Sequence, residues 1–349
     1  MVRGEAELID VAIIGGGPAG CACALSLRAH APALSVVLYE PSAYDTPRIG
    51  ETLSPAARPL LEHLGVWTAF LAQHHREVHG TAAAWGAAQA IDNDFVFAAR
   101  GSGWHLDRAS FDAMLAREAS HRGVAIRRET ARDVDARFLV DATGASARFA
   151  RQLGARVLDA DTLLGFARFF DDDGRDDPRT FVESFADGWW YTAGLPNGRR
   201  IAACMTDADL ARSLRLEEPE HWMRALDAMP RTRSLMRHAR ASGPIVVRPS
   251  HSRVLDPVAG ENWIAVGDAA STFDPLSSQG IVKALRSGIF ASYAVGDALT
   301  RNDDTGLRRY RSFIRDEFDS YLTTRAKFYA EERRWEGREF WRRRHFSPS

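Results

Sequence analysis

The stretch from Leu8 to Glu40 limits what this chain can fold into more than any other part of it. LIDVAII, Leu8 to Ile14, is an apolar β-branched run of the kind buried on both faces of a parallel sheet. It runs straight into Gly15-Gly16-Gly17-Pro18-Ala19-Gly20 and a small-residue helix, CACALSLRAHA. A second apolar strand, Val36-Val37-Leu38-Tyr39, ends on Glu40, about 20 residues past the last glycine of the turn. Strand, glycine turn, helix, strand and acid is the order of a dinucleotide-binding βαβ unit. Gly15 permits the tight turn, Gly17 lets the backbone approach a pyrophosphate, and Gly20 lets helix and strand pack closely. The helix opening at Pro18 and Ala19 offers N–H groups and positive dipole to the phosphates, and Glu40 accepts from ribose hydroxyls. The alternative is a structural glycine loop beside a solvated Glu40.

The chain has 349 residues, which at roughly 150 per domain suggests about two domains. A hydrophobic content of 45% and a charged content of 26% exclude a disordered or disulfide-stapled chain. Lys and Arg total 45 against 46 Asp and Glu, so the basic excess of a nucleic-acid binder is missing. The three cysteines, Cys21, Cys23 and Cys204, make no disulfide framework, and Cys21-x-Cys23 has the wrong spacing for a zinc knuckle, so both read as small buried residues. No metal-binding cluster is expected. The start of the chain lacks the features of a secretion signal, and no run of about 18 apolar residues occurs. A cytoplasmic protein without a transmembrane segment is therefore expected.

Further along, Pro55 to Leu71 and Leu106 to Arg122 are helical in pattern, and Thr81 to Phe97 alternates like a strand with turn residues at Asp92-Asn93-Asp94. Arg137 to Gly144 reads as a buried strand ending in a tight turn. Leu163 to Val247 reads as short aromatic-rich strands, interrupted by a polar loop at Asp171 to Asp177 and a helix-rich stretch from Glu217 to Arg240. Trp263 to Ala270 returns to the strand-turn style of the first unit. The chain thus threads between two spatial domains.

Pro47-Arg48-Ile49-Gly50-Glu51-Thr52-Leu53, Asp141-Ala142-Thr143-Gly144 and Gly267-Asp268-Ala269-Ala270 occur in that order, the last followed by Phe273-Asp274-Pro275-Leu276-Ser277-Ser278-Gln279-Gly280-Ile281. With these motifs the chain, over most of residues 8 to about 300, resembles the FAD-dependent monooxygenase and flavin-dependent halogenase superfamily, whose fold is of the hydroxybenzoate-hydroxylase type. The resemblance implies an α/β fold: an FAD-binding Rossmann-like domain (1–75, 101–160 and 248–300), interleaved with a β-sheet substrate domain (76–100 and 161–247) and followed by C-terminal helices (301–349). It implies that Asp268 binds a ribityl hydroxyl and that Gly144 lies in a cofactor-contacting turn. Pro275, Gln279, Gly280 and Ile281 would open a helix whose first N–H groups face the flavin pyrimidine edge. Arg48 and Arg108 match positions along the cofactor. For Arg108 the competing reading is a surface helix-start arginine paired with Asp112 at i+4.

The resemblance also bears on the reaction. Tryptophan halogenases use a lysine in the front half of the chain, but the only lysines here are Lys283 and Lys327. Where those enzymes carry a glutamate in the flavin loop, this chain has Ser277. The expectation is a monooxygenase, not a halogenase, with electrons from NADH or NADPH, taken directly or through a flavin reductase. Gly188 to Pro196, with Trp190 and Tyr191, falls where the family has an aromatic strand over the flavin, so these two residues, Phe273 and Ser277 are candidates for the substrate pocket, with sheet core as the alternative. The chain looks most similar to the flavoproteins that mature tryptophylquinone-dependent oxidases, which hydroxylate a tryptophan within a partner polypeptide. Rival readings are a hydroxylase of a free small aromatic, a prenyl-lipid reductase, and a non-enzymatic subunit with structural FAD. His105, His79 and the His74-His75 pair are bases by type but have no partner at motif distance, and no catalytic residue is assigned. The C-terminal run from Arg325 to Phe346 mixes arginines with aromatics. It reads as an amphipathic helix capping the FAD domain, with Phe328, Trp335 and Phe340 inward, or as a surface for a partner polypeptide or an anionic membrane, the last weakened by Glu331, Glu332, Glu336 and Glu339.

Overall fold

The structure, a computed structural model, describes residues 9–94, 101–172 and 177–345. Leu8, Phe97, residues 173–176 of the expected polar loop, and Phe346 lie outside the described residues. The chain forms a mixed α/β fold in which two principal sheets are joined by smaller ones and closed by C-terminal helices.

The first sheet is parallel throughout, in the spatial order Trp263–Ala265, Ala136–Asp141, Ile9–Ile14, Val36–Tyr39, Ala125–Arg127. Its central strand places Ile9–Ile14 between Val36–Tyr39 and Ala136–Asp141, so Val11, Ala12 and Ile13 are wholly buried, as the unbroken apolar run requires. Helix Pro18–His30 packs closely on the long helix Gly280–Arg301. A Cβ on Gly288 would collide with the Ala19 carbonyl oxygen, so the small residues Ala19, Ala22 and Cys23 set the distance between these helices. Cys21 and Cys23 are buried and free.

The second sheet has eight strands and is mostly antiparallel. Two of its strands, Leu163–Asp171 and Arg199–Asp207, are nine residues long, longer than the short strands expected there. All eight residues of Gly188–Leu195 are buried, because both faces of the sheet are covered. Trp189, Tyr191, Ala193 and Leu195 enter one apolar cluster, and Trp190 enters another on the opposite face with Phe166, Phe170 and Trp222. Helices Ala208–Leu214, Pro219–Asp227 and Pro230–Leu235 follow the last long strand, and Trp222 and Leu226 bring them to the Trp190 face.

Several local expectations are corrected. The helix expected from Pro55 to Leu71 is a 3-10 turn and two short helices, Arg58–His63 and Trp67–Leu71, because Gly65 adopts a positive φ of 66° between them. Asp92 to Asp94 belong to the strand Ile91–Asp94, and the chain turns earlier, around Gly86 at φ 70°. The C-terminal segment does not turn Phe328 inward: that ring is 52% exposed. Helix Thr305–Glu331 does pack on Gly280–Arg301, but Phe340 and Trp341 of helix Glu339–His345 are fully buried against the inner face of the second sheet. The reason is polar as well as apolar. Trp341 Nε1 donates to Phe185 O at 2.9 Å, Arg344 meets Asp207 at 2.7 Å, and Glu332 accepts from Ser184 at 2.6 Å and from Gly86 N–H at 2.8 Å.

Candidate active site

Gly15 sits at φ 112°, and a Cβ there would collide with the Ala142 carbonyl oxygen, so the turn needs glycine for both conformation and space. Gly20 is equally confined, against Gly15 O. Gly17 differs: its φ is −74°, and no described atom lies within 4 Å of where its Cβ would project. The first helix carries no side-chain cap and has proline in its first turn. An uncapped helix start opening onto clear space is the cradle a pyrophosphate needs, and the residues present fit FAD on this count.

Glu40 is buried at the end of its strand. Its carboxylate accepts from Gly16 N–H at 2.9 Å and from Ser42 N–H and Oγ at 2.9 and 2.5 Å, and lies 3.8 Å from Arg48. Arg48 and Arg108 converge on Asp112, which is wholly buried, at 2.9 and 3.2 Å. Arg108 does make the i+4 pair with Asp112, yet its side chain is only 12% exposed, and it also donates to Ile49 O and Gly50 O, both at 2.9 Å. The arginines therefore fasten the strap 47–51 to helix Arg108–His121 through Asp112. In the sequence, only its helical spacing from Arg108 sets Asp112 apart.

Across the parallel sheet's edge, Gly144 opens a short 3-10 turn at φ 68° with no described atom within 4 Å of a Cβ. Asp268 is 52% exposed and pairs with Lys283 at 3.0 Å. The Lys283 ammonium is buried, donating also to Gly267 O at 3.2 Å and to Ser271 O. The Pro275–Ser277 turn leads through Ser278 and Gln279 into helix Gly280–Arg301, whose start likewise has no side-chain cap. Ile281 is buried in that helix. Asp274 holds the turn from below: it accepts from Leu276 N–H at 2.9 Å and Tyr329 Oη at 2.7 Å, while its N–H donates to Tyr321 Oη at 2.7 Å. The C-terminal helix Thr305–Glu331 thus anchors this loop, which sequence reading did not anticipate.

The candidate pocket residues separate. Tyr191 faces the strap, where Ile49 and Leu276 pack on its cluster, and its Oη stands 3.5 Å from Glu51 Oε2. Trp190 points to the other face and touches Trp222 edge-on at 5.0 Å, so it is core and not pocket. Phe273 stacks on Tyr321 at 4.0 Å and belongs to the apolar core around the parallel sheet. Ser277 Oγ accepts from Gln279 N–H at 3.3 Å. His105 is a satisfied core histidine, bonded to Gly194 O and Thr180 Oγ1, each at 2.8 Å, and burial lowers its pKa to about 4. His75 is lowered to about 4 for the same reason.

The side chain of Glu51, the last residue of the strap, is buried, and burial raises its pKa to about 7, against pulls from its own and Gly50's backbone amides and from the Arg108 charge. A small cleft of about 30 Å³, room for roughly two waters, opens beside it between the strap and the Leu195–Arg199 turn. A larger cleft of about 290 Å³, between Val254–Val258 and the 311–316 stretch, contains none of the candidate residues.

The parallel sheet, the open glycine cradle and the strap over a second sheet define an FAD-dependent oxidoreductase of the halogenase and hydroxylase fold. Residues 8–132 match the FAD binding domain family. The chain is 29% identical to LodB of Marinomonas mediterranea, provisionally named an FAD-dependent oxidoreductase, over 97% of each protein. The fold superposes on the flavin-dependent halogenase CmlS with a TM-score of 0.86 at 24% identity, covering 99% of this chain and 69% of that one. It superposes on the peptidyl tryptophan dihydroxylase QhpG, essential for tryptophylquinone cofactor biogenesis, with a TM-score of 0.73 at 26% identity, covering 98% and 80%. Halogenases are prominent among the further matches. Among the described residues no helix is long and apolar enough to cross a membrane.

Proposed function

We propose that this protein is an FAD-dependent monooxygenase that hydroxylates an electron-rich aromatic ring, the indole of a tryptophan in a partner polypeptide. FAD, reduced by NADH or NADPH directly or through a flavin reductase, would supply two electrons for splitting O2, one oxygen going to the ring carbon and the other leaving as water. The FAD-binding unit would comprise 1–75, 101–160 and 248–300. In this reading Gly15, Gly17, Pro18, Ala19 and Gly20 hold the pyrophosphate, Glu40 the ribose, Asp268 the ribityl chain, and the N–H groups near Pro275, Gln279, Gly280 and Ile281 the pyrimidine edge. Arg48 and Arg108 act on the strap, and Gly144 leaves space for the cofactor.

The observation that carries hydroxylation over halogenation is the state of the two lysines. Lys283 is buried and engaged with Gly267, Asp268 and Ser271, and Lys327 is exposed on the C-terminal helix. Neither ammonium faces the cleft, so an oxidised halogen would find no amine to guide it there. The choice of a polypeptide rests on the likeness to QhpG. The cleft as it stands is too small for an indole, so the strap or the Leu195–Arg199 turn would have to yield to admit the ring.

The test is mass spectrometry of polypeptide and small-molecule fractions of a host lysate after incubation with the FAD-loaded protein, a reductant, air and halide. Oxygen gained by a tryptophan-bearing polypeptide supports the proposal. Oxygen gained only by a small molecule, or halogen gained by either fraction, overturns it.

A further inference from the structure

Glu51 has a buried carboxyl with an unpartnered atom, and neither the fastening of the strap nor the cradle uses it. Its backbone carbonyl accepts from Leu106 N–H at 2.8 Å, which fixes the strap against the start of the following helix. The side chain is thereby driven inward, 2% exposed, toward the aromatic sheet. Oε2 meets Tyr191 Oη at 3.5 Å, and Oε1, equally buried, has no hydrogen-bond partner. An ionised carboxylate left with an orphan oxygen in such a place is costly, whereas a neutral acid carries its proton there at little expense. The charged groups around it are Arg108 from the neighbouring helix and, lining the cleft, Arg48, Asp107 and Arg199. Arg108 is already committed to Asp112 and the strap carbonyls, so it pulls on Glu51 without neutralising it.

Hydroxylation of a ring needs such a group. When oxygen bonds to the ring carbon, that carbon loses its proton as aromaticity returns, and the second oxygen atom needs a proton to leave as water. The proton count balances if one buried acid gives a proton to the leaving oxygen and takes back the one shed by the ring.

We propose that Glu51, which lines the cleft, holds and returns the proton exchanged during oxygen transfer, with Glu51 the group that faces the reacting atoms and Tyr191, whose hydroxyl donates to it, its positioning residue. This rests on the oxygenase reading above. Its placement agrees with its neighbours: Ile49 of the strap and Leu276 of the Pro275–Ser277 turn pack on the same cluster as Tyr191, so the pair lies where the strap, that turn and the aromatic strand meet. Burial and the nearby Glu51 charge both raise the Tyr191 phenol well above its ordinary range, keeping the hydroxyl able to donate across neutral pH.

Two measurements on the FAD-loaded protein test this. The first is infrared difference titration of wild type against Glu51→Gln and Tyr191→Phe. The expected result is a carboxylic-acid carbonyl band that disappears with a midpoint near 7, is missing in E51Q, and keeps its intensity but shifts its midpoint in Y191F. The second is stopped-flow reoxidation of the bound reduced flavin by O2 without substrate, a reaction that takes up a proton as H2O2 forms. Wild type is expected to show a rate inflection near pH 7 that is missing in E51Q and moves with the shifted midpoint in Y191F, with E51Q slower by about tenfold or more at lower pH. No titrating band with that midpoint, or a wild-type pH profile retained in E51Q, overturns the proposal. Because neither measurement uses the polypeptide, failure to find an oxygenated polypeptide while both results hold would count against the substrate reading alone.

Discussion

Individual glycines in the first turn divide into those whose conformation or surroundings demand glycine and one, Gly17, whose do not. Gly17 has ordinary backbone angles and open space where its side chain would go. Gly17→Val is therefore expected to fold with unchanged secondary structure and thermal stability but to lose FAD, read as the flavin-to-protein ratio after purification; stoichiometric flavin in the variant would contradict the cradle. Gly15→Ala is expected to damage the fold itself, since it combines φ 112° with a collision at Ala142. Glu51 makes a pH-dependent contribution whose sign is fixed. Its carboxyl is ordinary in the unfolded chain, near 4.5, and about 7 in the folded one. At low pH both states keep the proton; as pH rises from about 4.5 to 7 the unfolded chain releases it first, so stability falls across that window and stays lowered above it. Glu51→Gln removes this loss. In urea unfolding the variant should gain on wild type by roughly 3 kcal/mol between pH 4.5 and 8, and parallel curves would show that the acid is not held neutral.

At the level of elements, sequence patterning was clear wherever periodicity and glycine spacing agree. The βαβ unit and helix Arg108–His121 fall where those signals put them. It was unclear where tertiary contacts decide. Alternation cannot say which face of Gly188–Leu195 looks toward the strap, so Trp190 and Tyr191 seemed equivalent until the sheet was assembled and they fell on opposite sides. The arginines near the C-terminus looked available for a partner for a similar reason. Their acids, Asp207, Asp209 and Asp187, are more than a hundred residues away in sequence, and only the fold brings them to Arg343, Arg344 and Arg338. That segment is a structural cover over the sheet. Trp341→Ala, which empties a fully buried site and leaves the Phe185 carbonyl without its donor, is expected to cost about 3–5 kcal/mol by denaturant unfolding. A change within about 0.5 kcal/mol would mean that the helix is not packed there.

On the scale of the whole molecule, in the proposed reading the two sheets supply different parts of one site, with the strap 47–51 between them. The parallel sheet presents the open glycine cradle and the turn entering Gly280–Arg301, while the mixed sheet supplies Tyr191 and the wall of the cleft. The motifs made the first half legible in the sequence, since a phosphate cradle is a local arrangement of backbone. Glu51 was visible only as a letter in a motif, because its burial and its missing partner depend on residues from the strap, helix Arg108–His121 and the aromatic strand together. Likeness to halogenases and to a tryptophan dihydroxylase coexists in one chain because unrelated chemistries share one fold, and on the proposed reading a few side chains choose between them. That choice is tested most directly by turnover of the FAD-loaded enzyme under ¹⁸O2 with chloride and bromide present, followed by the mass of the tryptophan-bearing polypeptide. The account expects ¹⁸O from O2 on the indole ring and the same yield with or without halide. Halogen on the ring, or oxygen drawn from water, would contradict it.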